Sequence, residues 1–305
     1  MSHELPDIKN VKGVQFSISS PEDIRGQSVV NVTKYETYDK DIPVVKGLFD
    51  TRMGVTDRDI ICATCNQKNT CCPGHFGHIE LAKPVFNYHF IQTTLKLLKC
   101  VCFKCSKLLI DKESEICKLI SKKSSASRWT LVYNLCSKIK TCGQETVDGC
   151  GAKQPSNYKI EGVVGINLHW KEESVPEIKE LMDVDIIKQI LERISNDDSY
   201  FMGFDPAWCR PEWLICSVLP VPPPSVRPSV KQDNSQRMDD DLTHKLSDIL
   251  KANSTLQKKI NTNAKNEIIQ DWINVLQYHV ATLIDNELPG ISQATHRSGR
   301  PLKAV

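Results

Sequence analysis

Eleven of the thirteen cysteines lie between positions 62 and 150, and only Cys209 and Cys216 fall outside. Such local enrichment constrains the fold more than any bulk property, because closely spaced thiols demand a common purpose. The chain starts Met-Ser-His-Glu-Leu-Pro, without the basic and then apolar regions of a secretory signal. Its longest apolar stretches, such as residues 214–219, are far below the roughly 18 residues that span a bilayer. A cytosolic or nuclear chain with no membrane partner is expected, and in a reducing compartment metal ligation is the leading explanation for clustered cysteines.

Within the cluster, Cys62-Ala-Thr-Cys65 is followed by Cys72-Pro-Gly-His75, giving C-x2-C-x6-C-x2-H. Two close ligands on each of two tight turns can reach one tetrahedral ion, and Gly74 supplies backbone freedom where the chain wraps the metal. The intervening Asn66-Gln67-Lys68-Asn69-Thr70 is too polar to be core. Cys71 adjoins Cys72 and His78 follows His75 by three, so sets using either remain geometrically open; the repeated x2 spacing favours Cys72 with His75. A second set combines Cys102-Phe-Lys-Cys105 with Cys142 and Cys150, each flanked by glycine. With four protein ligands apiece, both zincs are expected to be structural, since a hydrolytic zinc keeps a position open for water. Cys117 and Cys136 sit in apolar patterns and read as small buried hydrophobes.

Seven thiolates and two Zn2+ would move the formal net charge from +2 to about −1. Residues 95–140 nevertheless hold eleven Lys/Arg against three acidic residues. This run suits either phosphate contact or, more commonly, a solvated lysine face.

The remaining pattern is α+β and irregular. Residues 14–18 and 29–32 read as strands, and Ser20-Pro-Glu-Asp23 as a helix start. Residues 90–98 read as a helix, as do Val184, Ile187, Ile190, Leu191 and Ile194 with Asp183 and Asp185 in the first turn. Five prolines in residues 219–228 predict a stiff connector crossing about 30 Å of surface. Residues 229–241 read as an exposed loop. Leu242, Leu246, Ile249 and Leu250 make one helical stripe, and Ile269, Trp272, Ile273, Leu276, Val280, Leu283 and Ile284 a second. The polar residues 253–264 between them predict a helical hairpin with a protruding tip. The basic tail ends without an apolar stripe.

Several ordered blocks together resemble one family. They are Val14-Gln-Phe16, Ser20-Pro-Glu22, Arg52-Met-Gly54, Cys72-Pro-Gly-His-Phe-Gly-His-Ile-Glu-Leu-Ala-Lys-Pro-Val-Phe86, Cys102-Phe-Lys-Cys105, Arg210-Pro-Glu-Trp213, Leu219-Pro-Val-Pro-Pro-Pro224, Val226-Arg-Pro228, Asp241-Leu-Thr243, Lys251-Ala-Asn253 and Ser298-Gly-Arg-Pro301. The chain is thereby similar to the amino-terminal part of the largest subunit of DNA-dependent RNA polymerase, of the eukaryotic RNA polymerase II type. A large DNA virus, with its own divergent copy, is one source that the lysine- and asparagine-rich residues 258–266 suit.

The resemblance implies a two-zinc clamp that closes over DNA and the RNA–DNA hybrid. Its divisions would be a clamp-core segment at 1–60, a zinc-binding clamp head at 61–160, clamp core at 161–228, a lid-like loop at 229–241, a clamp helical hairpin at 242–286 and a rudder-like loop at 287–305. Cys62, Cys65, Cys72 and His75 would hold one zinc, and Cys102, Cys105, Cys142 and Cys150 the other. Arg237, Arg297, Arg300 and Lys303 are the candidate nucleic-acid contacts, and the hairpin would dock initiation and elongation factors. Other implied partners are the rest of the largest subunit, the second-largest subunit and the small subunits. The location would be the nucleus in a cell, or the virion, host nucleus or host cytoplasm for a virus.

Family members carry, far downstream, an Asn-Ala-Asp-Phe-Asp-Gly-Asp block whose aspartates bind the catalytic Mg2+; none occurs in these 305 residues. The polymerase reaction, a nucleotidyl transfer, would therefore belong to the assembled enzyme, with magnesium bound outside this chain and no catalytic residue within it. A split subunit or a fragment fits that pattern. The alternative is a free-standing zinc-stapled protein that binds nucleic acid or transcription factors without polymerase.

Overall fold

A serine ahead of Pro-Glu-Asp begins the first helix, α1 (Pro21–Gln27), in a computed structural model that describes residues 12–161, 165–172, 175–231 and 237–305. Ser20 Oγ accepts the Asp23 N–H at 2.9 Å while the Asp23 carboxylate accepts the Ser20 N–H at 3.1 Å, so two orphan donors are satisfied reciprocally. A short ribbon follows, β1 (Tyr38–Asp39) with β2 (Ile42–Pro43), and then the long strand β3 (Gly77–Phe86). Helices α2 (Ile91–Leu98), α3 (Glu115–Ser121) and α4 (Ser125–Cys136) lead to an antiparallel meander, β4 (Asn157–Glu161), β5 (Gly165–Glu172) and β6 (Val175–Met182). Next come α5 (Val184–Glu192), α6 (Asn196–Met202), β7 (Ile215–Val221) and a ribbon of β8 (Val230–Lys231) with β9 (Arg237–Met238). The chain ends with α7 (Asp241–Asn261), α8 (Asn266–Ile284) and a folded tail.

Apolar residues gather in two cores. The first joins α2 to α6 and the meander through Leu97, Val132, Ile166, Ile187 and Met202. The second lies where β3 and β7 meet the α7–α8 hairpin, through Ile79, Val85, Val221, Leu246, Leu256, Leu276 and Val280. Strand β3 contributes to both, since Val85 faces one and Phe86 the other. No helix among the described residues is long and apolar enough to cross a membrane.

Several expectations change in the folded chain. Residues 14–18 form no strand, and Phe16 is 90% exposed. Residues 29–32 make only one parallel bridge, Asn31 with His78, although Val30 and Val32 are buried beside β3. The polar stretch from 253 onward is mostly helix: α7 continues to Asn261 because Leu256, fully buried, and Ile260 prolong its apolar stripe. The turn is confined to residues 262–265, with Asn263 left-handed at φ 48°.

Two polar side chains interrupt the stripes because they serve β3. The ladder with β7 slips between Glu80 and Val85. Inside that slip, Asn253 Oδ1 accepts the Ala82 N–H at 2.8 Å and its Nδ2 donates to Glu80 O at 2.8 Å. Beyond it, buried Gln277 accepts the Phe86 N–H at 2.6 Å and donates to Phe86 O at 3.0 Å. Each helix of the hairpin thus supplies one amide in place of a strand partner.

The proline run is not a surface connector. Residues 219–221 pair with β3, Pro220 opposite His78, which a two-stranded ribbon tolerates because every strand is an edge. Pro223, Pro224 and Arg227 are buried. The Arg227 guanidinium donates to Pro222 O at 3.0 Å, Thr243 Oγ1 at 3.2 Å and Leu48 O, and lies over the Phe49 ring. Burial pulls it down to about 10, still charged at neutral pH.

The tail is also more ordered than its polarity suggested. Leu288, Ala294 and Leu302 are buried, and Asn286 bonds both Ala294 and Leu302 backbones. Of the loop expected at 229–241, residues 232–236 lie outside the described residues, as do residues 1–11 of the amino-terminal segment.

Replacing Gln277 by Ala strands the Phe86 N–H and C=O in a dry core. A loss of about 2–3 kcal/mol is expected, read as a lower denaturation midpoint at unchanged slope.

Candidate metal centres

Both C-x2-C turns are built alike from the backbone up. In the first, the Cys62 N–H donates to Gln67 O at 3.0 Å and the Asn66 N–H returns to Cys62 O at 2.9 Å. In the second, the Cys102 N–H donates to Lys107 O at 2.9 Å and the Ser106 N–H to Cys102 O at 2.8 Å. The residue after the second cysteine is left-handed in each, Asn66 at φ 55° and Ser106 at φ 62°. The Cys142–Cys150 pair closes similarly around a longer loop, with Cys142 N–H to Ala152 O at 2.9 Å and Gly151 N–H to Cys142 O at 3.1 Å.

Two glycines let the outer halves close. Gly74 adopts φ 82°, and a Cβ there would fall 2.7 Å from the Pro223 side chain, so the proline run presses directly on the Cys72–His75 turn. At Gly149 a Cβ would lie 2.2 Å from Gly143 Cα, an impossible approach for any other residue.

These turns bring Cys62, Cys65, Cys72 and His75 into one group, and Cys102, Cys105, Cys142 and Cys150 into another, with all ligand atoms of a group within 4.8 Å of one another. Cys72 Sγ and His75 Nε2 are 3.8 Å apart, Cys102 and Cys150 Sγ 3.6 Å, and Cys105 and Cys142 Sγ 3.7 Å. A tetrahedral ion with bonds of about 2.3 Å has ligand–ligand edges of about 3.8 Å. The donor sets therefore fit a tetrahedral ion, and each group can hold a metal. Cys71 stays exposed outside the first set, and His78 instead bonds Ser28 at 2.7 Å from within β3.

The electrostatics ask for a cation. Burial pushes the Cys72 thiol up to about 11 and Cys142 up to about 12, whereas the Ala152 N–H brings exposed Cys150 down to about 7. A divalent ion reverses the penalty on the buried thiolates. Gln154 supports the second group: its Nε2 donates to Cys102 Sγ at 3.2 Å and to Ala152 O at 2.9 Å, and its Oε1 accepts the Phe103 N–H at 3.2 Å. Sequence inspection missed Gln154, and no spacing rule marks it.

The four basic candidates separate. Arg237 pairs with Asp57 at 2.9 Å and lies over the Tyr38 ring at 3.9 Å. Arg300 donates to Asp241 at 2.7 Å. Arg297, in the turn between the bridged Thr295 and Pro301, is exposed, as is Lys303. Burial alone would raise Asp241, yet hydrogen bonds from Arg300, the Lys303 N–H and His296 bring it down to about 2.

The chain is thus of mixed α/β class, with two four-ligand groups that could each hold a metal ion beside a two-stranded ribbon and a helical hairpin. The chain belongs to the family described as RNA polymerase Rpb1, domain 1, whose model matches residues 8–305. It is also similar to a protein named DNA-directed RNA polymerase subunit Rpo1N from Methanocaldococcus jannaschii, 41% identical over 314 aligned residues. That alignment covers 99% of this chain and 22% of the relative, so the chain spans about a fifth of the relative's length. The likeness reaches an archaeal subunit and is not confined to the eukaryotic enzyme.

Gly149→Ala is expected to lower bound metal from two ions per chain to one, measured by native mass spectrometry, with the first group unaffected. Asp241 predicts an acid limb of stability. Its folded value lies below the unfolded one, so its contribution is complete above about pH 4 and disappears as pH falls toward 2. Asp241→Asn should remove about 2 kcal/mol at neutral pH and flatten that limb in urea titrations.

Proposed function

We propose that this chain is the amino-terminal clamp portion of the largest subunit of a DNA-directed RNA polymerase, working only in the assembled enzyme. The observation that carries the reading is the family match, which spans residues 8–305. In this reading each four-ligand group holds one structural Zn2+, because soft thiolates with at most one imidazole suit zinc and leave no open position. The ions fix loops that a module of two modest cores could not otherwise close.

The module's task is to hold nucleic acid rather than to transform it. Exposed Arg297 and Lys303 on the ordered tail supply charge for phosphate contact. Arg237 and Arg300, already engaged by Asp57 and Asp241, shape the base of that surface instead. The α7–α8 hairpin, with Lys258 and Lys259 in the last turn before its tip, offers a dock for initiation and elongation factors. Nucleotidyl transfer and its Mg2+ belong to the remainder of the polymerase, and the remainder of the largest subunit, the second-largest subunit and the small subunits are the partners. A free-standing binding protein is the poorer reading, since the matched family and relative are both polymerase subunits by name.

The test is assembly. Expressed with a tag in its natural setting, the chain should copurify stoichiometrically with a second-largest polymerase subunit; recovery as a stable monomer contradicts the proposal. Within such a complex, Lys258→Glu with Lys259→Glu should weaken factor docking at least about tenfold while leaving folding intact, and unchanged docking removes the hairpin's assigned role.

A further inference from the structure

Helix α3 is apolar on two sides. Its inner face buries Cys117 and Ile120 against the first core. Its outer face carries Ile116 and Leu119, 60% and 65% exposed. These two are three residues apart and therefore adjacent on one surface. They add nothing to the core, and a paired apolar surface in water is a liability unless something covers it.

The surrounding charges say what kind of partner does so. Lys122 and Lys123 close the helix, both exposed, and their ammonium groups have no ion-pair partner among the described residues. Lys118 reaches only exposed Glu113, at 3.6 Å. Three other lysines of the basic stretch are engaged: Lys107 with Asp148 at 2.6 Å, Lys112 with Asp198 at 2.7 Å, and Lys96 over the Tyr133 ring. Unpaired positive charge therefore lies at the carboxy-terminal end of α3, beside the apolar pair, while Glu113 and Glu115 occupy the other end; Lys104, Lys138 and Lys140, elsewhere in the stretch, are exposed as well.

We infer that the outer face of α3 is a docking site for an acidic amphipathic helix of a partner protein. The partner's apolar anchors lie over Ile116 and Leu119, and its carboxylates lie over Lys122 and Lys123. The acidic start of α3 fixes the direction, since it repels the partner's carboxylates from that end. Nucleic acid matches the free lysines but has no use for two exposed aliphatic side chains, which is why a protein is favoured.

The probe is a fluorescein-labelled amphipathic peptide with leucines at i, i+3 and i+4 on one face and glutamates flanking them, titrated with the full metal-loaded chain by anisotropy. Saturable binding is expected, with Ile116→Asp/Leu119→Asp weakening it at least about tenfold. Lys122→Glu/Lys123→Glu should weaken it too and abolish its salt dependence. Ile116→Ser/Leu119→Ser serves as a second apolar variant, and circular dichroism confirms that each variant folds. Three outcomes overturn the inference: no saturable binding to the native chain, binding unaffected by both apolar variants, or a duplex DNA oligomer that binds at the lysines and displaces the peptide with the apolar variants silent.

Discussion

The convergence of four soft ligands within 4.8 Å, made twice, is the constraint on which the rest depends. Thiolates at that separation repel, and burial already opposes ionisation of Cys72 and Cys142. Only a cation reconciles closeness with charge. Once it does, the backbone must turn tightly on either side, and the left-handed Asn66 and Ser106 and the touching Gly143 and Gly149 follow. Residues 51–76 are largely turns and loops among the described residues, whereas residues 100–155 also carry α3 and α4 and bury Leu109 and Val132 in the first core.

Strand β3 carries that order into the remainder of the fold. It begins two residues after His75, pairs with the proline-bearing β7, and is held at its slip by Asn253 and at its end by Gln277. The first metal group, the proline run pressing on Gly74 and the helical hairpin are therefore parts of one structure. Lys83, through its ion pair with Asp185, and Phe86 tie the same strand to the first core.

Both ligand groups were legible in the sequence, because ligand spacing within a turn is local and the chemistry tolerates few residue types. The capping box at Ser20, the helix at Val184 and the existence of the hairpin were legible for the same reason. Long-range partnerships were not. The roles of Asn253 and Gln277 could not be seen because the backbone groups they satisfy lie 171 and 191 residues away. The proline run read as a surface spacer because buried Arg227 draws it in through carbonyls and Thr243, contacts that carry no pattern along the chain. Arg237 and Arg300 were candidate nucleic-acid contacts, and their pairing with Asp57 and Asp241 follows no pattern along the chain.

Zinc K-edge X-ray absorption on the full chain, combined with metal quantification, tests the central assignment most directly. Seven cysteines and one histidine shared between the two groups predict two zinc ions per chain in a first shell of about seven sulfurs to one nitrogen, with no oxygen ligand. One ion or none per chain, or a shell containing water oxygen, would contradict it.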